Sequence, residues 1–227
     1  MNHKAVIFDL DGVLVDTGRF HRQAWYELTR QEGWPFSDEF FAKTFGMQNH
    51  LILPVLSGRQ MSPEEIKYYS DWKEARYRQL SHDQLQLLPG VRELLGELKQ
   101  NRFRLAIGTS TPPENLKQIM EQTRIADFFD AFVDAAEVQR SKPDPDTFLK
   151  AAAKLNMAPA RCVVVEDAPA GVQAGKAGGM PVIAVTNTRP AEELAAAGAD
   201  RIIASLTELA AGDFESLLTN PQLQRGD

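Results

Sequence analysis

The chain has 227 residues, 43% hydrophobic and 25% charged, a composition typical of a globular protein with one large domain or a domain carrying an insertion. A formal net charge of −6 argues against nucleic acid or an anionic membrane as a partner. Because it has one cysteine, Cys162, no signal peptide and no apolar stretch long enough to span a bilayer, we expect a cytoplasmic protein without disulfides.

Short apolar runs rich in β-branched residues alternate with helical patterns along most of the chain. The runs predict strands at 6–8, 104–107, 131–133, 162–165, 181–185 and 202–204. The helical patterns predict helices at 91–100, 114–122, 145–155, 168–177 and 191–197. This alternation predicts an α/β fold with a Rossmann-like, doubly wound parallel sheet that helices cover on both faces.

The stretch 17–87 interrupts the alternation. It contains no convincing strand and is rich in helix formers and in aromatic residues, which we interpret as a core of its own. About seventy residues of helix between two strands is too long for a simple crossover. We therefore predict an inserted helical cap domain at 17–87 and a catalytic core formed by 1–16 and 88–227.

Chemically reactive or ligating side chains follow three of the predicted strands, and one lies in a turn. They are Asp9 and Asp11 after the first strand, Thr109 and Ser110 after the second, Lys142 before Pro143, and Glu166 and Asp167 after the run 162–165. Ligands of open parallel sheets bind outside the carboxyl ends of the strands. We therefore expect all four groups at one functional edge.

Each of these groups has a structural alternative when it is considered singly. The aspartate, hydroxyl and acidic pairs could each form a turn or cap the following helix, and Lys142 could be a solvated surface lysine. Two acidic strand ends, one hydroxyl strand end and a lysine, in this order on a parallel sheet, indicate instead a site for phosphate and metal.

The chemistry of such a site suits each residue type. Asp9 can attack phosphorus as a carboxylate nucleophile, and Asp11 can protonate the leaving oxygen and then deprotonate water. Lys142 and the Thr109 hydroxyl can hold the non-bridging phosphoryl oxygens. Mg²⁺ prefers hard oxygen ligands, which Asp9, the backbone near Asp11, and Asp167 can supply.

With these motifs the chain resembles the haloacid dehalogenase superfamily, in the branch of β-phosphoglucomutase and small sugar-phosphate phosphatases, over nearly its whole length. The family's motif residues match Asp9 as nucleophile, Asp11 as general acid and base, Thr109, Lys142, and the pair Glu166–Asp167. The resemblance implies Mg²⁺ bound through Asp9, the Asp11 carbonyl and Asp167, with support from Glu166. It also implies a helical cap that closes over the site and selects the substrate.

The resemblance leaves two enzyme classes open, a phosphatase and a hexose-phosphate mutase. A mutase must hold a second, distal phosphate, and β-phosphoglucomutase does so with an arginine in the cap and a lysine and asparagine after the second motif. Here the cap stretch reads Gly46-Met47-Gln48-Asn49, and Pro112-Pro113 take the other two places. An asparagine cannot replace a bidentate guanidinium. We therefore expect a phosphatase of a small phosphorylated metabolite, a sugar phosphate, acting through an aspartyl-phosphate.

The substrate-binding residues that we predict in the cap follow from the same resemblance. The stretch 9–25, which includes His21 on the first cap helix, is very similar to β-phosphoglucomutase, and Lys73 and Tyr77 fall where that enzyme has cap residues that face the site. From these we take His21 and Lys73 as substrate-binding residues, and we add Gly46 and Asn49 from the cap and Ser110 from the core. The structural alternative for His21 is a partly exposed histidine at the start of a helix.

Three further functions stay open from the sequence. Inorganic pyrophosphate or a phosphonate could be the substrate, and a phosphonate-cleaving relative would need a Schiff-base lysine in the cap, for which Lys43, Lys67 and Lys73 are the candidates. A non-catalytic protein that binds a phosphorylated metabolite is the third, although the intact motif set argues against it. We expect a monomer, because the aromatic residues are largely accounted for by the cap core.

Overall fold

The computed structural model describes residues 4–219 and consists of two compact units. One comprises the chain up to Val15 and from Gln86 onward, and we call it the α/β unit. The other, Asp16–Leu85, is the helical unit.

Six parallel strands form the sheet of the α/β unit within the described residues, in the order β3-β2-β1-β4-β5-β6. Their bounds are β1 Lys4–Phe8, β2 Phe103–Gly108, β3 Ala131–Val133, β4 Cys162–Glu166, β5 Val182–Val185 and β6 Arg201–Ile203. The order runs outward from β1 in one direction and then from β4 in the other, which confirms the predicted doubly wound parallel sheet. Every strand lies within two residues of its predicted bounds.

Helices connect and cover these strands. They are α5 Val91–Gln100, α6 Pro113–Thr123, α7 Asp146–Lys154, α8 Pro169–Ala177, α9 Ala191–Ala196 and α10 Ala211–Thr219, with short 3₁₀ turns at Ala126–Phe128, Pro159–Arg161 and Leu206–Glu208. Consecutive residues of β4, Val163 and Val164, are both fully buried, as expected for a strand covered on its two faces. One apolar cluster joins Ile7 and Val164 of the sheet to Phe148 of α7.

Four helices make up the helical unit: α1 Gly18–Glu32, α2 Asp38–Thr44, α3 Asn49–Ser57 and α4 Pro63–Ser81. Helix α4 begins with a capping box, in which the Ser62 hydroxyl accepts from the Glu65 amide and the Glu65 side chain accepts from the Ser62 amide. No residue of 17–85 lies in a strand, as the sequence predicts.

An aromatic and aliphatic core holds the helical unit together. Its members are Trp25, Leu28, Ile52, Leu53 and Leu56, with Trp34, Phe36, Phe40, Phe41, Met61, Ile66, Tyr69 and Trp72 packed against them. The interpretation of the aromatics as a core is therefore confirmed for most of them. Tyr26 and Tyr68 are exposed, and Phe45 and Tyr77 contact the ring of His21 instead. Across residues 4–219, we find no helix with the length and apolar character that crossing a membrane requires.

Candidate active site

The carboxyl ends of β1 and β4 bring the predicted acidic residues together. These strands are neighbours with Phe8 opposite Val165, and the Asp9 amide donates to the Val165 carbonyl at 2.9 Å. Asp9 and Glu166 therefore leave the sheet side by side, although more than a hundred and fifty residues separate them in the chain. Both side chains are buried.

Lys142 lies between these two carboxylates. Its Nζ donates to Asp9 Oδ1 at 2.6 Å, to Glu166 Oε1 at 2.7 Å and, more weakly, to the Gly108 carbonyl at 3.4 Å. The side chain is 8% exposed, so the alternative of a solvated surface lysine is wrong. Burial alone would lower the pKa of Lys142, but the charges of Asp9 and Glu166 raise it above its ordinary value, and the ammonium stays charged.

Three buried carboxylates share this corner of the sheet. Carboxylate oxygens of Asp9, Glu166 and Asp167 lie within 4.8 Å of one another, and we call these three residues the acidic group. Burial, together with repulsion from Glu166 and Asp11, outweighs the attraction of Lys142 and raises the pKa of Asp9 to about 7. Burial and the neighbouring carboxylates also raise the pKa of Asp167 well above its ordinary value.

The residues present therefore fit a hard divalent cation. One lysine cannot neutralise three carboxylates, and burial, together with repulsion between the acids, raises the pKa values of Asp9 and Asp167. Carboxylate oxygens in such a group are the ligands that Mg²⁺ and Ca²⁺ prefer. The side chain of Asp11 lies outside this group of three, so its predicted contribution through the backbone carbonyl stays a prediction.

Asp11 is instead linked to the end of β2 through a residue that sequence reasoning missed, Thr111. The Thr111 hydroxyl donates to Asp11 Oδ2, and its Oγ1 lies 2.8 Å from Thr109 Oγ1. The Thr111 amide also donates to Thr109 Oγ1, at 3.1 Å. Thr109 and Thr111 are buried, whereas Ser110 between them is half-buried.

The sequence left open whether the hydroxyl pair and the acidic pair each cap the helix that follows them, and the structure answers this for both. Helix α6 has Pro112 at its N-cap and no side-chain cap, so Thr109 and Ser110 do not cap it. Glu166, in contrast, does hold the entry to α8, because its Oε2 accepts from the Asp167 amide at 2.7 Å and the Ala168 amide at 2.9 Å. One oxygen of the Glu166 carboxylate thus fixes the backbone before α8, and the other contacts Lys142.

Two glycines make room for the carboxylates. Gly12 has a φ of +78°, and a Cβ there would stand 2.0 Å from Asp167 Oδ2. A Cβ at Gly171, in the first turn of α8, would stand 1.7 Å from Glu166 Oε1. A larger residue at either position would displace a carboxylate of the acidic group.

Asn187 and Thr188, in the loop after β5, are two further residues that sequence reasoning missed. The Thr188 hydroxyl lies 2.5 Å from Asp167 Oδ2, and Asn187 Nδ2 donates to the Gly12 carbonyl at 2.8 Å. No periodic pattern marks such loop residues. The rule that ligands bind beyond the carboxyl ends of strands could have found them, because only Thr186 separates them from the apolar run 181–185.

The helical unit contains a second buried ionic group, which includes three of its four predicted substrate-binding residues. Lys73 Nζ lies 2.8 Å from His21 Nδ1 and 2.8 Å from Glu74 Oε1, and Asn49 Nδ2 donates to Glu74 Oε1 at 2.8 Å. The His21 ring stacks on Tyr77 with ring centres 4.0 Å apart. His21 is buried, so the alternative of a partly exposed histidine is wrong.

Glu74, which sequence reasoning missed, is the acid of this second group. Its burial would raise its pKa, but the electrostatic attraction of Lys73 and His21 and hydrogen bonds from Lys73 and Asn49 lower that pKa to about 2. Gly46, the fourth predicted residue, is exposed, with a φ of +86° and no atom within 4 Å of a Cβ placed on it.

Comparisons with known proteins agree with the fold and with the family that the sequence resembles. The sequence profile described as haloacid dehalogenase-like hydrolase matches residues 6–185. The chain is 33% identical over 215 residues to the β-phosphoglucomutase of Bacillus subtilis, covering 91% of each chain. It is 30% identical over 177 residues to the phosphorylated carbohydrates phosphatase of Thermotoga maritima, covering 78% of this chain and 82% of that one.

Among solved structures, the chain is similar to the β-phosphoglucomutase of Clostridium difficile. The TM-score is 0.85 with 28% sequence identity, and the match covers 95% of this chain and 97% of the other. The relatives thus include both enzyme classes that the sequence leaves open.

Proposed function

The chain belongs to the haloacid dehalogenase-like hydrolase family, in its β-phosphoglucomutase-like branch, and from this membership we propose that it is a phosphatase of small sugar phosphates. The observation that carries the proposal is the contact between Asp9, at the end of β1, and Lys142, inside a group of three buried carboxylates. A carboxylate beside a fixed cation suits attack on phosphorus in a phosphate monoester.

Asp9 is the proposed nucleophile. One of its carboxylate oxygens forms a bond to phosphorus while the bond from phosphorus to the sugar oxygen breaks and its electron pair stays on that oxygen. The proposed acid, Asp11, gives a proton to the same oxygen, so that the sugar leaves as a neutral alcohol. Asp11 then takes a proton from water, which attacks the aspartyl-phosphate, releases inorganic phosphate and regenerates Asp9.

Lys142 and the hydroxyls at the end of β2 are the proposed holders of the phosphoryl oxygens. Lys142 stays charged, because the carboxylates around it raise its pKa, and its Nζ already contacts Asp9. Thr109 and Ser110 add hydroxyl donors directly after Gly108, whose carbonyl accepts from Lys142. Donors fixed before the reaction stabilise the charge that moves onto these oxygens without reorganising.

Mg²⁺ is the proposed cofactor, held by Asp9, Asp167 and the Asp11 carbonyl, with Glu166 beside them. When bound, it neutralises the carboxylates and stabilises negative charge on the phosphoryl group. The fit rests on the crowded, buried carboxylates and on the raised pKa values of Asp9 and Asp167. The helical unit is the proposed substrate-selecting cap domain.

A hexose-phosphate mutase is the second candidate, because the Bacillus subtilis relative carries that name. Two observations favour hydrolysis. The side-chain amide of Asn49 already donates to Glu74. Pro112, at the N-cap of α6, and Pro113, its first residue, carry no charge or side-chain donor for a second phosphate. Hydrolysis needs only one phosphate site and a water.

The test is phosphate release from fructose 1-phosphate, glucose 6-phosphate, sorbitol 6-phosphate and pyrophosphate in the presence of Mg²⁺, for the wild type and Asp9→Asn. We expect the wild type to hydrolyse at least one sugar phosphate faster than pyrophosphate. We expect Asp9→Asn to lose turnover and to keep its circular dichroism spectrum. Turnover retained by Asp9→Asn contradicts the mechanism, and a wild type that releases no phosphate contradicts the function.

A further inference from the structure

The loop at 186–189 contacts the acidic group from the side of β5. Thr188 Oγ1 lies 2.5 Å from Asp167 Oδ2 and 3.0 Å from the Asp167 carbonyl oxygen. The neighbouring Asn187 donates to the Gly12 carbonyl at 2.8 Å, and the Thr186 amide donates to the Ile203 carbonyl at 3.0 Å. The loop is therefore fixed both to the sheet and to the turn that follows Asp9.

The Asp167 carboxylate is enclosed between this loop and Gly12. A Cβ at Gly12 would stand 2.0 Å from Asp167 Oδ2 and 2.9 Å from Thr188 Cγ2, so the three groups are in close contact. The Thr188 hydroxyl has one hydrogen to donate, and the shorter of its two contacts is to the carboxylate. One oxygen of Asp167 is thus held by Thr188.

We propose that Thr188 is a positioning residue for the metal, because its hydroxyl orients the Asp167 carboxylate toward the acidic group. The inference rests on the proposed function, since it takes Asp167 as a ligand of Mg²⁺. Carboxylate ligands that are hydrogen-bonded by neighbouring groups bind metal more tightly, because they lose less rotational freedom on binding. No step of the proposed reaction passes through Thr188.

A purely structural role for Thr188 predicts different behaviour. The hydroxyl could serve only to hold the loop through the Asp167 carbonyl, and its loss would then lower thermal stability without changing the affinity for Mg²⁺. Two substitutions separate these roles: Thr188→Val keeps the shape and removes the hydroxyl, whereas Thr188→Ser keeps the hydroxyl and removes a methyl group.

The experiment is a titration of the whole protein with Mg²⁺ alone by isothermal calorimetry, paired with the thermal shift that Mg²⁺ produces. We expect Thr188→Val to weaken Mg²⁺ binding by about 10-fold to 100-fold and Thr188→Ser by no more than about 3-fold. At saturating Mg²⁺ we expect kcat of Thr188→Val to stay within about 3-fold of the wild type.

Wild-type Mg²⁺ affinity in Thr188→Val overturns the inference, as does a Thr188→Ser that binds as weakly as Thr188→Val. If Thr188→Val does not fold, Thr188→Ala is measured against the same two outcomes. The failure of the proposed function is separate: a wild type that binds Mg²⁺ but releases no phosphate contradicts the function alone. A wild type that does not bind Mg²⁺ contradicts the cofactor and the inference together.

Discussion

Each unit of the chain contains a buried lysine that contacts a carboxylate. The two ionic groups differ in the balance between positive and negative charge. In the α/β unit, Lys142 contacts Asp9 and Glu166, and Asp167 lies in the same group. In the helical unit, Lys73 contacts a single carboxylate, Glu74. Burial and ion pairing are common to both groups, so neither property distinguishes them.

The direction of the pKa shifts does distinguish them. The pKa of Asp9 is raised to about 7, because burial and neighbouring acids exceed the attraction of Lys142. The pKa of Glu74 is lowered to about 2, because Lys73, His21 and Asn49 more than offset its burial. An excess of buried negative charge suits a group to bind a cation, whereas a balanced group is suited to stabilise the unit that contains it.

Among the substitutions that test this comparison, we expect removal of Lys142 to have the largest effect on activity and stability. Lys142→Met leaves the carboxylates without a cation, so we expect kcat/KM to fall by about 10³-fold and the free energy of unfolding without Mg²⁺ to fall by about 3 kcal/mol. Steady-state kinetics and urea unfolding measure the two effects. The control is Lys99→Met, which breaks the more exposed Lys99–Asp130 pair and should cost less than about 1 kcal/mol.

A Lys142→Met protein with kcat/KM within about 10-fold of the wild type contradicts the proposed role of Lys142. We expect added Mg²⁺ to restore part of the lost stability but not the activity, because the metal neutralises carboxylates without replacing the lysine as a donor to phosphate.

Removal of the acid in the helical unit tests the balanced group. Lowering the pKa of Glu74 from 4.5 to about 2 corresponds to stability of about 3 kcal/mol at pH 7, so Glu74→Gln should lose roughly that amount. Because the pKa is depressed in the folded state, this stability is present above about pH 4.5 and is lost as pH falls toward 2. The difference in unfolding free energy between wild type and Glu74→Gln, measured from pH 7 downward, should therefore shrink below pH 4.5.

The matched control for Glu74→Gln is Asp71→Asn, on the same helix α4. Asp71 pairs with Lys67 at 2.6 Å on the exposed surface, so we expect a change below about 0.5 kcal/mol. A difference for Glu74→Gln that stays constant from pH 7 to pH 3 would show that the carboxylate charge does not stabilise the helical unit.

The smallest expected effect is the change in stability of Asp9→Asn without Mg²⁺. At pH 8, above the raised pKa of about 7, the buried Asp9 carboxylate is charged in the folded wild type and destabilises it. The asparagine side chain removes that charge. We expect the free energy of unfolding to stay the same or rise by about 1 kcal/mol, and the stabilisation by Mg²⁺ to decrease. Thermal unfolding with and without Mg²⁺ measures both; a loss as large as that of Glu74→Gln contradicts the contrast between the two groups.

Much of the α/β unit could be predicted from the sequence, for a physical reason. Strands of a covered parallel sheet are continuous apolar runs, so 162–165 and 181–185 mark β4 and β5, and the residues after such runs lie at one edge. Asp9, Glu166 and Asp167 could be placed together by this rule alone. Lys142 follows no predicted strand, so this rule does not place it. Its charge made it a candidate for holding phosphoryl oxygens, and only the structure shows that it contacts Asp9 and Glu166.

The contacts that depend on packing were not predictable in the same way. Thr111 and Thr188 are loop hydroxyls whose partners come from other strands, and nothing in their neighbours along the chain marks those partners. Glu74 has the pattern of an exposed helix acid, and only the packing of the helical unit buries it against Lys73 and Asn49. Burial of His21 has the same origin, and it rules out the structural alternative of a partly exposed histidine.

The measurement that tests the central claim most directly is one coupled assay with Mg²⁺, β-glucose 1-phosphate and a trace of glucose 1,6-bisphosphate, recording free phosphate and glucose 6-phosphate separately. A chain with one phosphate site should release phosphate without forming glucose 6-phosphate. Glucose 6-phosphate that forms only when the bisphosphate is present would contradict the account, because it requires a second phosphate to be held, and the mutase function would then replace the phosphatase.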